Sequence, residues 1–307
     1  MSYTGERRGL GSMVEEILLG DNPFIGVSHL AQEKGREEAR EARLERKIEV
    51  LKKALEGGAT GFTFSTHIAN LELLKHLTEY YPDVIEKLNY YVLVPYAASY
   101  VRRSNVVGAP SLAKEFIKNS LRTPRLAIDT LSGILTLNPE KLFKVFIMHE
   151  LLPYLKIMPR EKIRSILLHE ILTETIVAYN LAKLVKYLAK AIEKELDVGL
   201  GLESRNIEKL VEFVDYNNLV LAYVMTPLNP MNYQVAIFKR SVDELIDSLS
   251  RRSRIIAINI MASGTISLDE AIDYLKKFKS KIYAVTSATT KPERAYNNFR
   301  KLIQLLD

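Results

Sequence analysis

His169 and Glu170 stand side by side after the apolar run Ser165–Leu168, and an imidazole next to a carboxyl can supply a proton donor and an acceptor near neutral pH. Other short apolar runs end in the same way. Asp21-Asn22 follows Glu16–Leu19, Ser65-Thr66-His67 closes a second run, Tyr96 comes just after Tyr90–Pro95, and Glu203-Ser204-Arg205 follows Val198–Leu202. Asn229, Asn259 and Thr286-Ser287 lie at or just beyond three further runs. Candidate catalytic residues are therefore His169, Glu170, His67, Tyr96 and Glu203, with Asp21, Asn22, Asn229 and Asn259 as candidate substrate contacts. Each has a plainer reading. Asp21-Asn22-Pro23 can be a turn, Ser204 can cap a helix beginning near Ile207, and His67 can start a helix. Of His169 and Glu170, only one can point inward if both lie on a strand, since neighbouring strand residues face opposite sides.

Two late segments carry the pattern of an anion site. In "MASGTISLDEA", Ser263 and Gly264 precede a helix whose N-cap is Ser267, so backbone N–H groups and the helix dipole can face a phosphate. In "TSATTKPERAYNNF", Ser287 ends an apolar run, Lys291 adds a charge, and Pro292 takes the first helical position. A second chemistry stays open: Glu170 and Glu203, with His67, His169 or Asp21, are a donor set for one divalent metal ion, as in a metal-dependent isomerase, epimerase or lyase of a sugar-like substrate. A barrel that binds a ligand without turning it over is a third reading. The chain has no cysteine, so disulfides, thiolate nucleophiles and cysteine-ligated metals are excluded. No lysine ends a strand-like run, which disfavours Schiff-base chemistry. Nor is an acid found at the end of the seventh run to complete the carboxyl pair of a retaining glycosidase.

What must position these groups is an alternation of strands and helices. Eight β-rich runs (Glu16–Leu19, Gly61–Ser65, Tyr90–Pro95, Ser165–His169, Val198–Leu202, Val220–Thr226, Ile255–Ile260 and Ile282–Thr286) alternate with amphipathic stretches such as Lys47–Glu56, Thr175–Glu195, Ile207–Val214, Leu268–Lys279 and Pro292–Leu306. The pattern predicts a (β/α)8 TIM barrel, class α/β, as a single domain over 1–307, with its active site at the carboxyl ends of the strands. A doubly wound open sheet is the alternative, but "LLGDNP" after the first run holds one glycine where a dinucleotide fingerprint needs more. Residues 29–46 lengthen the first connection. Residues 100–161, with apolar stretches at Leu126–Leu137 and Leu142–Leu155 and prolines at 124, 139, 153 and 159, predict a helical insertion between the third and fourth strands, placed as a lid or a homo-oligomer contact.

Composition narrows the partners. The chain is 47% hydrophobic and 26% charged, without an apolar run long enough to span a membrane, and Met1–Gly11 has no apolar stretch after it of the kind a secretory signal needs. A cytoplasmic location is expected. The net charge of +6 comes with acids interleaved among the bases (Glu37, Glu38, Glu41, Glu45; Asp243, Glu244, Asp247), which reads as solvated helix faces and not as a nucleic-acid surface. A small molecule is the expected partner. The lack of cysteine and the wealth of Ile, Leu, Lys, Glu and Arg are similar to the usage of thermophile proteins.

From the fourth run onward the sequence resembles the second half of an aldo-keto reductase. "ILLHE" is similar to that family's Leu-Leu-His strand, "GLESRNIEKLVEFV" to its fifth strand and helix, "MASGTIS" to its seventh-strand loop, and "TSATTKPERAYNNF" to its eighth unit. The resemblance implies a barrel and an NADP(H)-dependent oxidoreductase acting on a small carbonyl or hydroxyl compound, with or without a phosphate. It places the cofactor near Ser263, Gly264, Ser287, Lys291 and Asn298, with Pro292 and Glu293 in register and Asn297 where the family usually has Glu. Of the family's catalytic Asp, Tyr, Lys and His, only His169 has a counterpart. Thr63 or Ser65 stands at the Asp position, no Tyr follows at the expected spacing, and the third strand offers Pro95 and Tyr96 in place of Lys.

Overall fold

In the computed structural model of the protein, the structure describes residues 14–25, 44–96, 100, 108–236 and 239–306. Its strands are β1 (Glu16–Gly20), β2 (Gly61–Ser65), β3 (Asn89–Val94), β4 (Ile163–Leu168), β5 (Gly199–Glu203), β6 (Tyr223–Pro227), β7 (Arg254–Ile258) and β8 (Ile282–Ser287). Each pairs in parallel with the next, and β8 returns to β1, closing the barrel. The predicted (β/α)8 barrel is thus the observed fold.

The alternation of each strand divides its residues between two cores. Ile17, Leu19, Phe62, Phe64, Val92, Ile166, Leu202 and Val224 face the surrounding helices, whereas Leu18, Tyr91, Leu93, Leu167, Tyr223, Met225, Ile256 and Tyr283 fill the barrel. On β5 the inward positions fall to Gly199, Gly201 and, at the end, Glu203. Neighbours need the glycine space: a Cβ on Gly201 would sit 2.4 Å from Leu167 Cδ2 and 2.9 Å from the Tyr223 carbonyl oxygen.

The helices are α1 (Leu44–Glu56), α2 (Ile68–Tyr80), α3 (Pro82–Lys87), α4 (Ala109–Leu121), α5 (Pro124–Leu135), α6 (Pro139–Leu155), α7 (Glu170–Ala178), α8 (Ala182–Leu196), α9 (Ile207–Tyr216), α10 (Val242–Ser250), α11 (Leu268–Leu275) and α12 (Pro292–Leu302). The single helix expected over Thr175–Glu195 is two. Asn180 takes a left-handed φ of 50°, which a short polar side chain tolerates and a continuing helix does not. Most of the first connection, 26–43, lies outside the described residues.

Between β3 and β4 the described residues 108–162 are largely helical. Pro124 and Pro139 open α5 and α6, where the missing N–H costs no helical bond. Helix α6 anchors this segment to the barrel: Tyr154 packs its ring 5.6 Å from that of Phe64, and Lys144 pairs with Glu195 of α8. The outer helix α5 leaves Ile128 and Leu135 each 78% exposed.

Gly201→Ala would force a methyl into the filled barrel interior. Urea denaturation should show a loss of about 1–3 kcal/mol; wild-type stability in the variant would contradict the inward packing of β5.

Candidate active site

At the carboxyl ends of the strands a cleft of about 730 Å3 runs from the barrel axis to the start of α12. Leu93, Met225 and Ile258 give it apolar walls near the axis, and Asp21, Thr63, Glu203, Arg205 and Thr286 supply the polar groups there. Glu203 is only 6% exposed. One of its oxygens, Oε2, accepts the backbone N–H of Glu170 at 3.1 Å. Burial outweighs that bond and the nearby Arg205 charge, so the carboxyl is pushed up to about 7. It can hold or release a proton near neutrality.

Asp21 lies just past the end of β1 and is 7% exposed. Ser65 donates to its Oδ2 from both N and Oγ, each at 2.9 Å, and Asn70 Nδ2 donates to the same oxygen at 2.6 Å. These donors favour the ionised form, while burial acts more strongly and raises the group. The turn read for Asp21-Asn22-Pro23 is present as a 3-10 helix over Asn22–Ile25, with Asn22 exposed at the cleft.

The other catalytic candidates sit around the cleft without lining it. Strand β4 stops at Leu168, so neither His169 nor Glu170 is a strand residue, and the run read as Ser165–His169 ends one residue before its histidine. His169 is the N-cap of α7, its Nδ1 accepting from the Ile171 N–H at 3.4 Å, and burial holds its imidazole below the usual range. Glu170, at the start of α7, pairs its carboxylate with Arg205 and is raised by burial and by the charge of Glu203. His67 caps α2 in the same manner, its Nδ1 accepting from Ala69 N–H at 3.1 Å. Its ring meets that of Tyr96 edge-on at 4.5 Å. The insertion fills this side: Tyr154 OH donates to the His67 carbonyl at 2.8 Å, and Thr66 Oγ1 donates to Glu150 of α6 at 3.2 Å. Tyr96, 7% exposed, has its N–H on Thr66 Oγ1.

Glu174 of α7 accepts from Ser204 Oγ at 2.6 Å and from the backbone N–H groups of Arg205 and Asn206 at 3.2 Å each. The loop after β5 is thereby tied to α7. Ser204 is not the cap of α9; that role falls to Asn206, whose Oδ1 accepts from Lys209 N–H. Asn229 is likewise structural, its amide bonded to Tyr233 N–H and C=O and to the Asn259 carbonyl. Asn259 lines the cleft in a left-handed conformation (φ 51°) and accepts the Ser263 N–H at 2.9 Å.

Ser263, Gly264, Ser287, Lys291 and Asn298 all line the far part of the cleft. The two expected anion sites differ, however. At α11, Ser267 and Glu270 form a capping box that engages their own two N–H groups, and the Gly264 N–H bonds the Met261 carbonyl. Helix α12 begins at Pro292 without a side-chain cap, with Lys291 and Arg294 beside it. Arg294 went unread in the sequence, although it shares a face with Lys291 and Asn298 by helical spacing. The hydroxyl oxygens of Thr63, Thr286 and Ser287 are buried along the cleft without a protein partner.

Among the described residues, no group of three or more His, Asp or Glu side chains is arranged to hold a metal ion. The acid and imidazole set proposed for a divalent ion is dispersed: Glu170 faces Arg205, while His67 and His169 cap helices. A second cavity, about 830 Å3, opens at the opposite end of the barrel between Glu16, Arg164, Lys194 and Arg254. Its buried acid, Glu16, is already bonded to Asn89 and Tyr283.

No family model matches the chain, and no curated protein matches it by sequence. Solved structures do. A Pseudomonas aeruginosa protein assigned to the aldo-keto reductases superposes with a TM-score of 0.57 at 14% identity, covering 97% of this chain and 93% of its own. An aldo-keto reductase from a Medee basin deep-sea metagenome gives 0.50 at 13% identity over 85% and 86%. A D-allulose 3-epimerase from Methylomonas sp., at 0.48 and 11% identity over 96% and 99%, is too loosely similar to argue from. The fold is an aldo-keto-reductase-like (β/α)8 barrel. The likeness extends over nearly the whole chain and is one of fold.

Because Glu203 is raised from about 4.5 to about 7, the folded state binds its proton more tightly than the unfolded one, and its contribution to stability falls as pH rises between those values. Glu203→Gln keeps an acceptor for Glu170 and removes the titration. Urea denaturation from pH 4.5 to 8 should show the variant gaining on the wild type, by up to about 3 kcal/mol at the alkaline end. Parallel stability curves would show that Glu203 is not a buried, raised carboxyl.

Proposed function

We propose that the protein is an NADP(H)-dependent oxidoreductase acting on a small carbonyl or hydroxyl compound, with Glu203 handling the proton. The observation that carries this reading is the continuity of one cleft from the cationic start of α12 to the acids at the barrel axis. Lys291, Arg294 and the uncapped helix start suit phosphate groups. The partnerless hydroxyls of Thr286 and Ser287 suit the hydroxyls and phosphate oxygens of a nucleotide lying along the cleft. The residues present thus fit a phosphate-bearing dinucleotide, which when bound supplies or accepts a hydride.

The chain's own part in the chemistry differs from the family's. Tyr96 does not line the cleft, and Glu203 takes the donor's place: its proton passes to the substrate's carbonyl oxygen as negative charge builds there. Leu93, Met225 and Ile258 exclude water from that contact, which strengthens it. Asn259 and Glu174 hold the loops on either side. The metal-dependent isomerase, epimerase or lyase lacks a matching observation in the described residues, and a non-catalytic barrel would share the cleft without turnover.

NADPH fluorescence should change on titration with the protein, and Lys291→Ala and Arg294→Ala should each weaken binding about tenfold, the value of one charge-assisted contact. No signal with saturating NADPH or NADH would refute the reading. Glu203→Gln should retain NADPH and lose turnover by about 10²–10⁴ across a panel of small carbonyl compounds; binding without turnover in the wild type would identify the non-catalytic barrel.

A further inference from the structure

In a closed barrel ordered β1 to β8, β1 and β5 lie on opposite sides of the axis. Asp21 follows the last residue of β1 and Glu203 is the last of β5; both are buried, and both line the same cleft. Two buried carboxyls therefore line one mouth from opposite sides of the barrel, together with the apolar side chains of Leu93 and Met225. Their hydrogen bonding is unequal. Three donors from Ser65 and Asn70 converge on Asp21 Oδ2, whereas Glu203 receives the single Glu170 N–H on Oε2. None of these bonds occupies Asp21 Oδ1 or Glu203 Oε1.

Two buried like charges at one site cannot both be ionised cheaply, and the carboxyl with more donors keeps the charge. We propose that Asp21 and Glu203 form a divided acid–base pair that grips one small ligand from opposite sides of the barrel axis, Glu203 as the acid and Asp21 as the base. The acid presents an O–H and so selects a carbonyl oxygen; the base presents lone pairs and so selects a hydroxyl. The ligand class is a hydroxycarbonyl compound with its two groups turned to opposite walls. The assignment deepens the proton role given to Glu203 and stands without the nucleotide. The charged and titratable groups around the pair are Glu170, Glu174 and Arg205 on the Glu203 side, and His169 and Tyr154 near Asp21.

Carboxyl-labelled (¹³C) Asp and Glu in the whole chain, followed by NMR across pH 3–9, test the pair directly, with Glu203→Gln and Asp21→Asn spectra assigning the two signals. At neutral pH the Glu203 carbon should report a protonated fraction and the Asp21 carbon an ionised group. In Asp21→Asn the Glu203 midpoint should fall by roughly one pH unit, since the facing charge is gone. An unmoved midpoint overturns the pair, as does a proton found on Asp21 in place of Glu203. Should Asp21→Asn lose its near-ultraviolet circular dichroism, the reciprocal measurement serves: the wild-type Asp21 carbon should show a second, smaller step at the Glu203 midpoint, and Glu203→Gln must remove that step. All of this is read without NADPH. Failure of the nucleotide to bind leaves the pair standing, and NADPH binding with independent midpoints removes the pair alone.

Discussion

Closing parallel strands around one axis leaves room for few inward side chains, and every layer of this barrel is set by that crowding. Tyr91, Tyr223 and Tyr283 crowd the lower end, with ring centroids 5.4–5.5 Å apart. Space for Tyr223 is made by the missing side chain of Gly201 on β5, and that of Gly199 is taken by Ala222. The same parity that turns those glycines inward turns Glu203 inward two residues later. A carboxyl is thus delivered to the axis by strand geometry, at a depth where water cannot solvate it fully. Its affinity for a proton follows from that depth.

The mouth is organised by hydrogen bonds that reach across neighbouring units. Asp21, just past β1, is held by Ser65 and Asn70 of the second unit; Glu203 at the end of β5 and the loop after it are held by Glu170 and Glu174 of the fourth. Each acid is therefore fixed by an adjacent βα unit and not by its own. Such cross-bracing keeps loop residues as rigid as strand residues, which is the condition for placing a proton within reach of a reacting atom.

Helix α6 lays Tyr154 and Glu150 against His67 and Thr66, just beyond β2. The cleft takes Thr63 from β2 and Leu93 from β3 and continues along β5 to β8 and β1 as far as the start of α12. At α11 the neighbouring helix start carries a capping box, whereas α12 has no side-chain cap.

The alternation of β-rich runs with amphipathic stretches specified parallel βα units, because period-2 and period-3.6 patterns depend only on which residues are apolar, and the count of eight favoured a barrel over an open sheet. Pro124, Pro139 and Pro292 marked helix starts for an equally local reason, the fixed φ of the ring. Glu203, Lys291 and Asn298 were also legible, as polar residues at strand ends and in a helix's first turns. Which of the polar strand-end residues reach the cleft was not. His169 and Glu203 look alike in sequence, each closing an apolar run, yet β4 stops one residue before its histidine and β5 runs through its glutamate. That difference in strand length comes from pairing with neighbouring strands. His67 and Tyr96 were lost to a helix that the sequence places far along the chain. Tertiary structure alone decided these points, because burial and facing depend on contacts between segments whose separation in sequence carries no signal.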